Sequence, residues 1–593
     1  MSSLSRGSAL LRQRSIRSAP AWRAVRSQPA LRRWVHEIPP QPEIPTQPPK
    51  RGGPPVLGLL AAFGASAGAF YYLYPKFASP AKEHEAPKKI KKVPKATPVE
   101  LPSAASLEDV PIKSSWDHPG VYAWGSNAGR VIDATSNEAI IKTPRRIAFF
   151  DDQILRDLKL KADFGAAINE KGDLVLWGTA LSTTHPEPIV TLQGKDLVKL
   201  ALSSDRVIAL SSAGAVYSIP VSRQDQLTGQ KVASQSSFWG SPSKPESINY
   251  RLLTPTGLKG GEKVVEVSSG LEHCLMLTSK GRVFSAAAST LEFPSKGQLG
   301  VPGLTWETRP VGNYDQAHEL TTLPNSPIVQ IAAGDLHSVL LNKAGKVFVF
   351  GDNIYGQLGF TTSRGHQYVD TPVEIQLDKL YAKTDYVPRA TSIAAGGMTT
   401  FFTVDAVKAL TSAPSNPSAK DSPPQTFDVW ACGSGLFGTL GTGKFVHAAA
   451  QPMKVKSLSS VFEFDESTDK LAPVKISHLS AGTTHACAVL DAKVSARRSR
   501  DGVNHGGDVL FWGGNEQYQL GTGKRTNLNT PSYVAGLNST TRNTDDALIA
   551  GGDQRLQLAP RRTVRLEDGK GRKVSTEQKV ECGGLVTAVY SSV

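Results

Sequence analysis

The chain has 593 residues and is 39% hydrophobic and 20% charged, the proportions of an ordinary globular protein. Its net charge of +15 is concentrated in residues 1–99, which carry +13, and the remainder is nearly neutral at +2. That split argues against a body built to grip a phosphate backbone. Cys274, Cys432, Cys487 and Cys582 form no CxxC pair, which argues against a disulfide scaffold or a thiolate zinc site.

Residues 1–36 hold eight Arg, seven Ser and no acid, the composition of a mitochondrial transit peptide. Arg32-Arg33-Trp34 resembles a matrix-peptidase cleavage context, which sets the transit peptide at 1–34 and a linker at 35–53. Pro54 to Tyr74 is 21 residues without a charge, as a helix roughly 30 Å long and thus the thickness of a bilayer core. Tyr71, Tyr72 and Tyr74 cluster at one end as interfacial aromatics do. Gly64 and Gly68 form a GxxxG, although small residues are common in such segments without any helix pairing. Residues 75–119, rich in Pro, Lys and Ala, read as an extended linker.

A transit peptide followed by one span predicts a single-pass protein of the mitochondrial inner membrane. The side of the body stays open. The lysines from Lys76 to Lys95 favour the matrix by the charge rule, whereas a span that stops in transit leaves the body in the intermembrane space.

From residue 120 the chain repeats itself. "AAGDLHSVLLNKAGKVFVFGDNIYGQLG" (332–359) follows "SSGLEHCLMLTSKGRVFSAAAS…KGQLG" (268–300), and "SAGTTHACAVLDA" (480–492) resumes as "GDVLFWGGNEQYQLGTGK" (507–524). Gly-x-x-His opens each of these copies, at Gly270/His273, Gly334/His337 and Gly482/His485. The glycines that recur are Gly125, Gly178, Gly270, Gly334, Gly351, Gly356, Gly359, Gly396, Gly433, Gly482, Gly513, Gly521 and Gly583. Short β-branched and aromatic runs at a period near 50 predict propeller blades. "GVYAWGSN" (120–127) is only the second half of a repeat and "KVECGGLVTAVYSSV" (579–593) only the first half. A ring closed by one shared blade removes open strand edges, so the expectation is an all-β, seven-bladed β-propeller over 120–593.

This pattern resembles the regulator of chromosome condensation repeat family over about 120–593, faintly where Ser203 and Arg206 replace the glycine and the histidine. With the presequence and the span, the chain is similar to the fungal mitochondrial inner-membrane branch of that family, linked to assembly of the cytochrome bc1 complex. The resemblance implies a non-catalytic scaffold or assembly factor with protein clients. It also implies two alternatives: guanine-nucleotide exchange on a mitochondrial GTPase, and association with the mitochondrial ribosome. The near-neutral body counts against direct nucleic-acid binding.

Other motifs carry less. Gly433-Ser-Gly435-Leu-Phe-Gly438 is a formal GxGxxG, and Gly438 to Lys444 approaches a P-loop, but Phe445 stands where a magnesium-binding hydroxyl belongs. His273, His337 and His485 occupy one equivalent position in different copies, which spaces them apart and favours buried hydrogen-bonding roles over a metal centre. No catalytic constellation and no cofactor site stands out. The stretches 223–262, 301–327, 361–391, 405–426, 445–475, 491–506 and 525–578 read as excursions on the rims, and "SARRSRDG" (495–502) is a basic patch in one of them.

Overall fold

The computed structural model describes residues 115–228, 248–324, 326–362, 367–409, 423–465, 469–491, 506–537, 555–565 and 572–593. The transit peptide, both linkers up to residue 114, the span from Pro54 to Tyr74 and the basic patch lie outside the described residues. No helix among the described residues is long and apolar enough to cross a membrane.

The unit of the fold is clearest at Ile328–Ala333, His337–Asn342, Val347–Asp352 and Tyr368–Glu374, four antiparallel strands in sequence order. The two middle strands are buried at every position. That is why "HSVLLN" and "VFVFGD" read as nearly unbroken apolar runs instead of alternating ones: both faces of the sheet are covered. Asn342-Lys343-Ala344-Gly345-Lys346 turns between them. Asn342 N donates to Lys346 O at 3.0 Å, and Lys346 N donates back to Asn342 Oδ1 at 2.8 Å.

The same order recurs at 197–252, 264–319, 386–454 and 476–533. Nine of the remaining strands form one sheet. In it Val121–Ser126 pairs antiparallel with Val586–Ser592, register Val121↔Tyr590 to Gly125↔Val586, so strands from the two ends of the body lie side by side. Lys573–Cys582 and Ile140–Arg146 flank that pair. A single parallel pairing, Leu155↔Ser592, joins this half to Leu155–Leu160 and the three strands that follow it. The innermost strands, Leu155–Leu160, Leu197–Leu202, Val264–Ser269, Ile328–Ala333, Tyr386–Gly396, Ile476–Ala481 and Lys573–Cys582, lie each against the next, and the last returns to the first. The fold is an all-β propeller.

The supposed excursions need correction. Tyr368–Glu374, Val446–Lys454 and Leu528–Tyr533 are outermost strands of their sheets, and Arg251–Leu252 and His318–Glu319 are short ones. Outermost strands have one free edge and are half exposed, so their sequences carry no continuous apolar run to announce them. One true addition is the hairpin Phe462–Asp465 with Lys470–Pro473. Packing also begins before residue 120: Trp116 Nε1 donates to Pro560 O at 3.1 Å under the Arg562 guanidinium.

Candidate functional site: the loop rim and the central channel

The loops that join first to second strands meet on one rim. Their backbones bond in sequence, Ser204 N to Leu271 O, Leu271 N to Asp335 O and Asp335 N to Gly397 O, each at 2.8–2.9 Å. Gly584 N to Leu160 O at 3.1 Å continues this belt at the closing sheet. The repeat residues sit here. Gly270, Gly334, Gly396, Gly482 and Gly583 fall in these loops or at their edges. Gly125, Gly178, Gly351, Gly433 and Gly513 end third strands, with φ between +106° and +116°. Gly356, Gly359 and Gly521 lie in the following loops.

The histidines are not brought together; each spans a joint between sheets. His273 Nε2 meets Ser338 Oγ, His337 Nε2 meets Thr400 Oγ1 and His485 Nε2 meets Thr587 Oγ1, all at 2.8 Å. Each hydroxyl spends its one proton on a glutamine carbonyl: Ser338 on Gln298 O at 3.0 Å, Thr400 on Gln357 O at 2.8 Å and Thr587 on Gln519 O at 2.6 Å. The hydroxyl oxygen therefore accepts from a protonated Nε2, which leaves Nδ1 bare and without a partner. Full burial pushes all three imidazoles down to about 3, so they are neutral.

This joint explains the repeat's spelling. A Cβ on Gly334 would lie 2.6 Å from His337 Nδ1, so the residue three before the histidine must be small. Gln-Leu-Gly supplies a carbonyl acceptor, a buried leucine and a space: a Cβ on Gly300 would meet Phe350 of the next sheet at 2.7 Å, and one on Gly521 would meet Trp124 at 2.9 Å. Where Arg206 replaces histidine, its guanidinium turns back to Ser218 of its own sheet at 2.6 Å, while Ser203 Oγ crosses to Ala288 O at 2.8 Å.

The nucleotide-like motifs are spent on the same joints. Gly433 and Gly435 lie in the last residues of strand Gln425–Gly435, and after Gly438 the chain enters strand Val446–Lys454, not a helix. Thr439 O accepts from Trp512 Nε1 at 2.7 Å and Thr439 Oγ1 donates to Thr484 O at 3.0 Å, so this turn is committed to the next sheet.

The innermost strands surround a channel of about 890 Å³. Six of them carry a register irregularity, after the first pairing in five and after Ala390 in the long strand, and the residue that follows it is polar: Asp157, Lys199, Glu266, Gln330, Ser392 and His478. Such a bulge frees a backbone N–H, and the neighbouring strand's side chain takes it. Asp157 Oδ2 accepts from Leu200 N at 2.8 Å, and Gln330 Oε1 accepts from Ile393 N at 3.0 Å while its Nε2 donates to Ile393 O. Lys159 pairs with Glu581 at 2.7 Å across the closing joint. These residues escaped the sequence reading, although a signal was present: an apolar-x-polar-apolar quartet recurs as "LRDL", "LVKL", "VVEV", "IVQI" and "ISHL".

Among the described residues no group of three or more His, Cys, Asp or Glu could hold a metal ion. All four cysteines are free and buried, and burial pushes the thiols of Cys274 and Cys432 up to about 12. These groups hold sheets together, and the loops beyond them offer surface for contact.

Sequence comparison agrees with this geometry. The pattern described as regulator of chromosome condensation (RCC1) repeat matches residues 344–403 and 506–554, and a second pattern of that description matches 328–357. The chain is 27% identical over 435 residues to "Protein FMP25, mitochondrial" of Saccharomyces cerevisiae, covering 69% of this chain and 64% of that protein. It is 23% identical over 412 residues to "RCC1 domain-containing protein RUG3, mitochondrial" of Arabidopsis thaliana, covering 66% and 79%. A match to the bovine "Secretion-regulating guanine nucleotide exchange factor" is 26% identical over 269 residues, covering 43% and 52%. The chain thus spans less than two thirds of the length of the yeast and bovine relatives. The crystal structure of human WBSCR16 superposes with a TM-score of 0.49 at 17% identity, over 80% of this chain and 99% of that one. Joints, spacing and sequence matches agree: the chain carries regulator of chromosome condensation repeats and is similar to proteins built of them, mitochondrial ones included.

Proposed function

We propose that this protein is a non-catalytic scaffold anchored in the mitochondrial inner membrane by residues 54–74, and that it serves assembly of a respiratory complex, the cytochrome bc1 complex first. The observation that carries the reading is the use made of the polar groups. Histidines, glutamines, inward carboxylates and lysines bond sheet to sheet, so the ring is a rigid platform whose loops carry contact. The transit-like composition of 1–34 and the mitochondrial relatives support the location.

The ring counts seven blades in this reading, because the nine-stranded sheet divides at the lone Leu155↔Ser592 pairing into two four-stranded halves and one appended strand. The repeat glycines and the three histidines act as joints between blades, not as ligands.

The second reading, guanine-nucleotide exchange on a mitochondrial GTPase, is favoured by the exchange-factor relative. Capture through the tagged full chain from detergent-solubilised mitochondria separates the two. Respiratory assembly intermediates are the expected result. A nucleotide-free GTPase supports the second reading, and ribosomal proteins without either would overturn both. Protease access in mitoplasts reads the side of the ring.

A further inference from the structure

The rim opposite the loop belt has a chemistry of its own. The chain enters the ring there: Gly120 starts the strand that pairs with Val586–Ser592, and Ser591 N donates to Gly120 O at 3.0 Å. On the same rim the sheet at 386–454 outgrows its neighbours. Its first three strands run 11, 10 and 11 residues, against 6 for each of the corresponding strands at 328–352. One pairing before its end at Tyr386↔Lys408, the extension carries the cross-strand pair Val387↔Val407, with 60% and 52% of their surfaces exposed.

The added hairpin adjoins this extension. Ser460 N donates to Phe427 O at 2.8 Å, Lys475 Nζ reaches Asp405 Oδ2 at 2.7 Å, and Lys470–Pro473 lies against Gln425–Gly435. Its own exposed pair is Phe464↔Leu471, at 47% and 56%. Two projecting hairpins thus put Val387, Val407, Phe464 and Leu471 beyond the edge of the ring. These pairs sit one pairing inside Tyr386↔Lys408 and Asp465↔Lys470, and large apolar groups held this exposed on neighbouring hairpins mark a contact surface.

We propose that this rim docks on a lipid bilayer, with these four side chains inserted among the headgroups and upper acyl chains. The inference rests on the reading of 54–74 as a membrane anchor. What selects lipid as the occupant is where the outside chain ends. The uncharged run 54–74 and the lysine-rich stretch behind it join the body at this rim and not at the loop belt. Apolar side chains on the loop belt, such as Ile354 and Leu436, each 49% exposed, face the other way and remain available to protein clients. Burial of four apolar side chains adds to the anchor and fixes the ring's attitude on the membrane.

The test uses the full chain reconstituted in vesicles of phosphatidylcholine and cardiolipin with brominated acyl chains. The native cysteines are buried, so a fluorophore attaches selectively to Phe464→Cys or Leu471→Cys, and to Ile354→Cys or Leu436→Cys as equally apolar comparisons. The expected result is several-fold stronger quenching, with a blue-shifted emission, at 464 and 471 than at 354 and 436. Equal quenching at both rims, with the protein still resistant to carbonate extraction, overturns the docking and leaves the anchor standing. Release of the protein by carbonate overturns the anchor and the docking with it. A blue shift at 464 in the vesicles without quenching by the brominated chains assigns the patch to another part of the chain or a second copy, and also overturns the proposal.

Discussion

At the scale of single residues, most of the repeat's spelling is a set of steric exclusions. Gly351 has φ +108°, and a Cβ there would lie 2.6 Å from Leu336 O and from His337 Cα. Neither neighbour can move without breaking the His337 joint. Gly351→Ala should therefore cost roughly 3–5 kcal/mol, strain plus overpacking. Gly303 has φ +68° and nothing within 4 Å of an added Cβ, so Gly303→Ala should cost only about 1–2 kcal/mol. Denaturant midpoints of the two variants check the contrast, and equal losses would refute it. The glycine pattern also shows why some copies are faint. The place of Gly356, φ +77°, is taken by Tyr518 at +62° and Arg130 at +54°. Each makes the same turn, donating its N–H to an asparagine carbonyl three residues back. A turn can persist after its glycine has gone, and the sequence then understates the structure.

At the scale of elements, legibility followed burial. The middle strands were readable because both their faces are covered and their apolar runs are continuous, as in His337–Asn342 and Val586–Ser592. The outermost strands were not, because Tyr368–Glu374 or Val446–Lys454 needs only to match a neighbour's hydrogen bonds and can stay polar. The joints were half legible: histidine and glycine stood out, whereas Ser338, Thr400 and Thr587, which complete each relay, look like any strand residue. The same logic ranks deletions. Val586–Ser592 is buried at every position and pairs on both edges. Removing 585–593 strips two strands of their partner and opens the ring, so cooperative unfolding should be lost altogether. Replacing Phe462–Pro473 with a Gly/Ser linker removes an isolated two-stranded hairpin with exposed Phe464 and Leu471, and should shift stability by no more than about 1 kcal/mol. Calorimetry of both variants decides. A truncated chain that melts like the intact one would show that the terminal strands do not close the ring.

At the scale of the whole molecule, the ring is as stable as its weakest joint, and three joints share one chemistry. His273, His337 and His485 are held neutral inside the fold, down at about 3, while in the unfolded chain they titrate near 6.5. Above about pH 6.5 both states are unprotonated and the histidines contribute no pH dependence. Below it the unfolded chain takes up protons that the fold refuses, so stability falls with acid, by about 1.4 kcal/mol per pH unit for each histidine. The loss continues until the folded imidazoles protonate near 3. Glu262 acts lower: hydrogen-bonded by Thr278 and paired with Arg282, it is held at about 2 and begins to weaken the fold only below its ordinary 4.5. In the interval from about pH 6.5 to about pH 5 two other groups also titrate, His478, which burial pushes down to about 4, and Glu272, which burial and the neighbouring Glu292 push up to about 7, so the share of one joint is read from the difference between parent and variant. In that interval His337→Gln, which keeps a side-chain donor toward Thr400 but cannot titrate, should start less stable than the parent at neutral pH. It should then lose stability with acid more slowly, by about 1.4 kcal/mol per pH unit. Denaturant titrations across the interval measure both slopes. Parallel slopes would mean that His337 takes up its proton as readily in the fold as in the unfolded chain, which would refute the neutral imidazole of the joint.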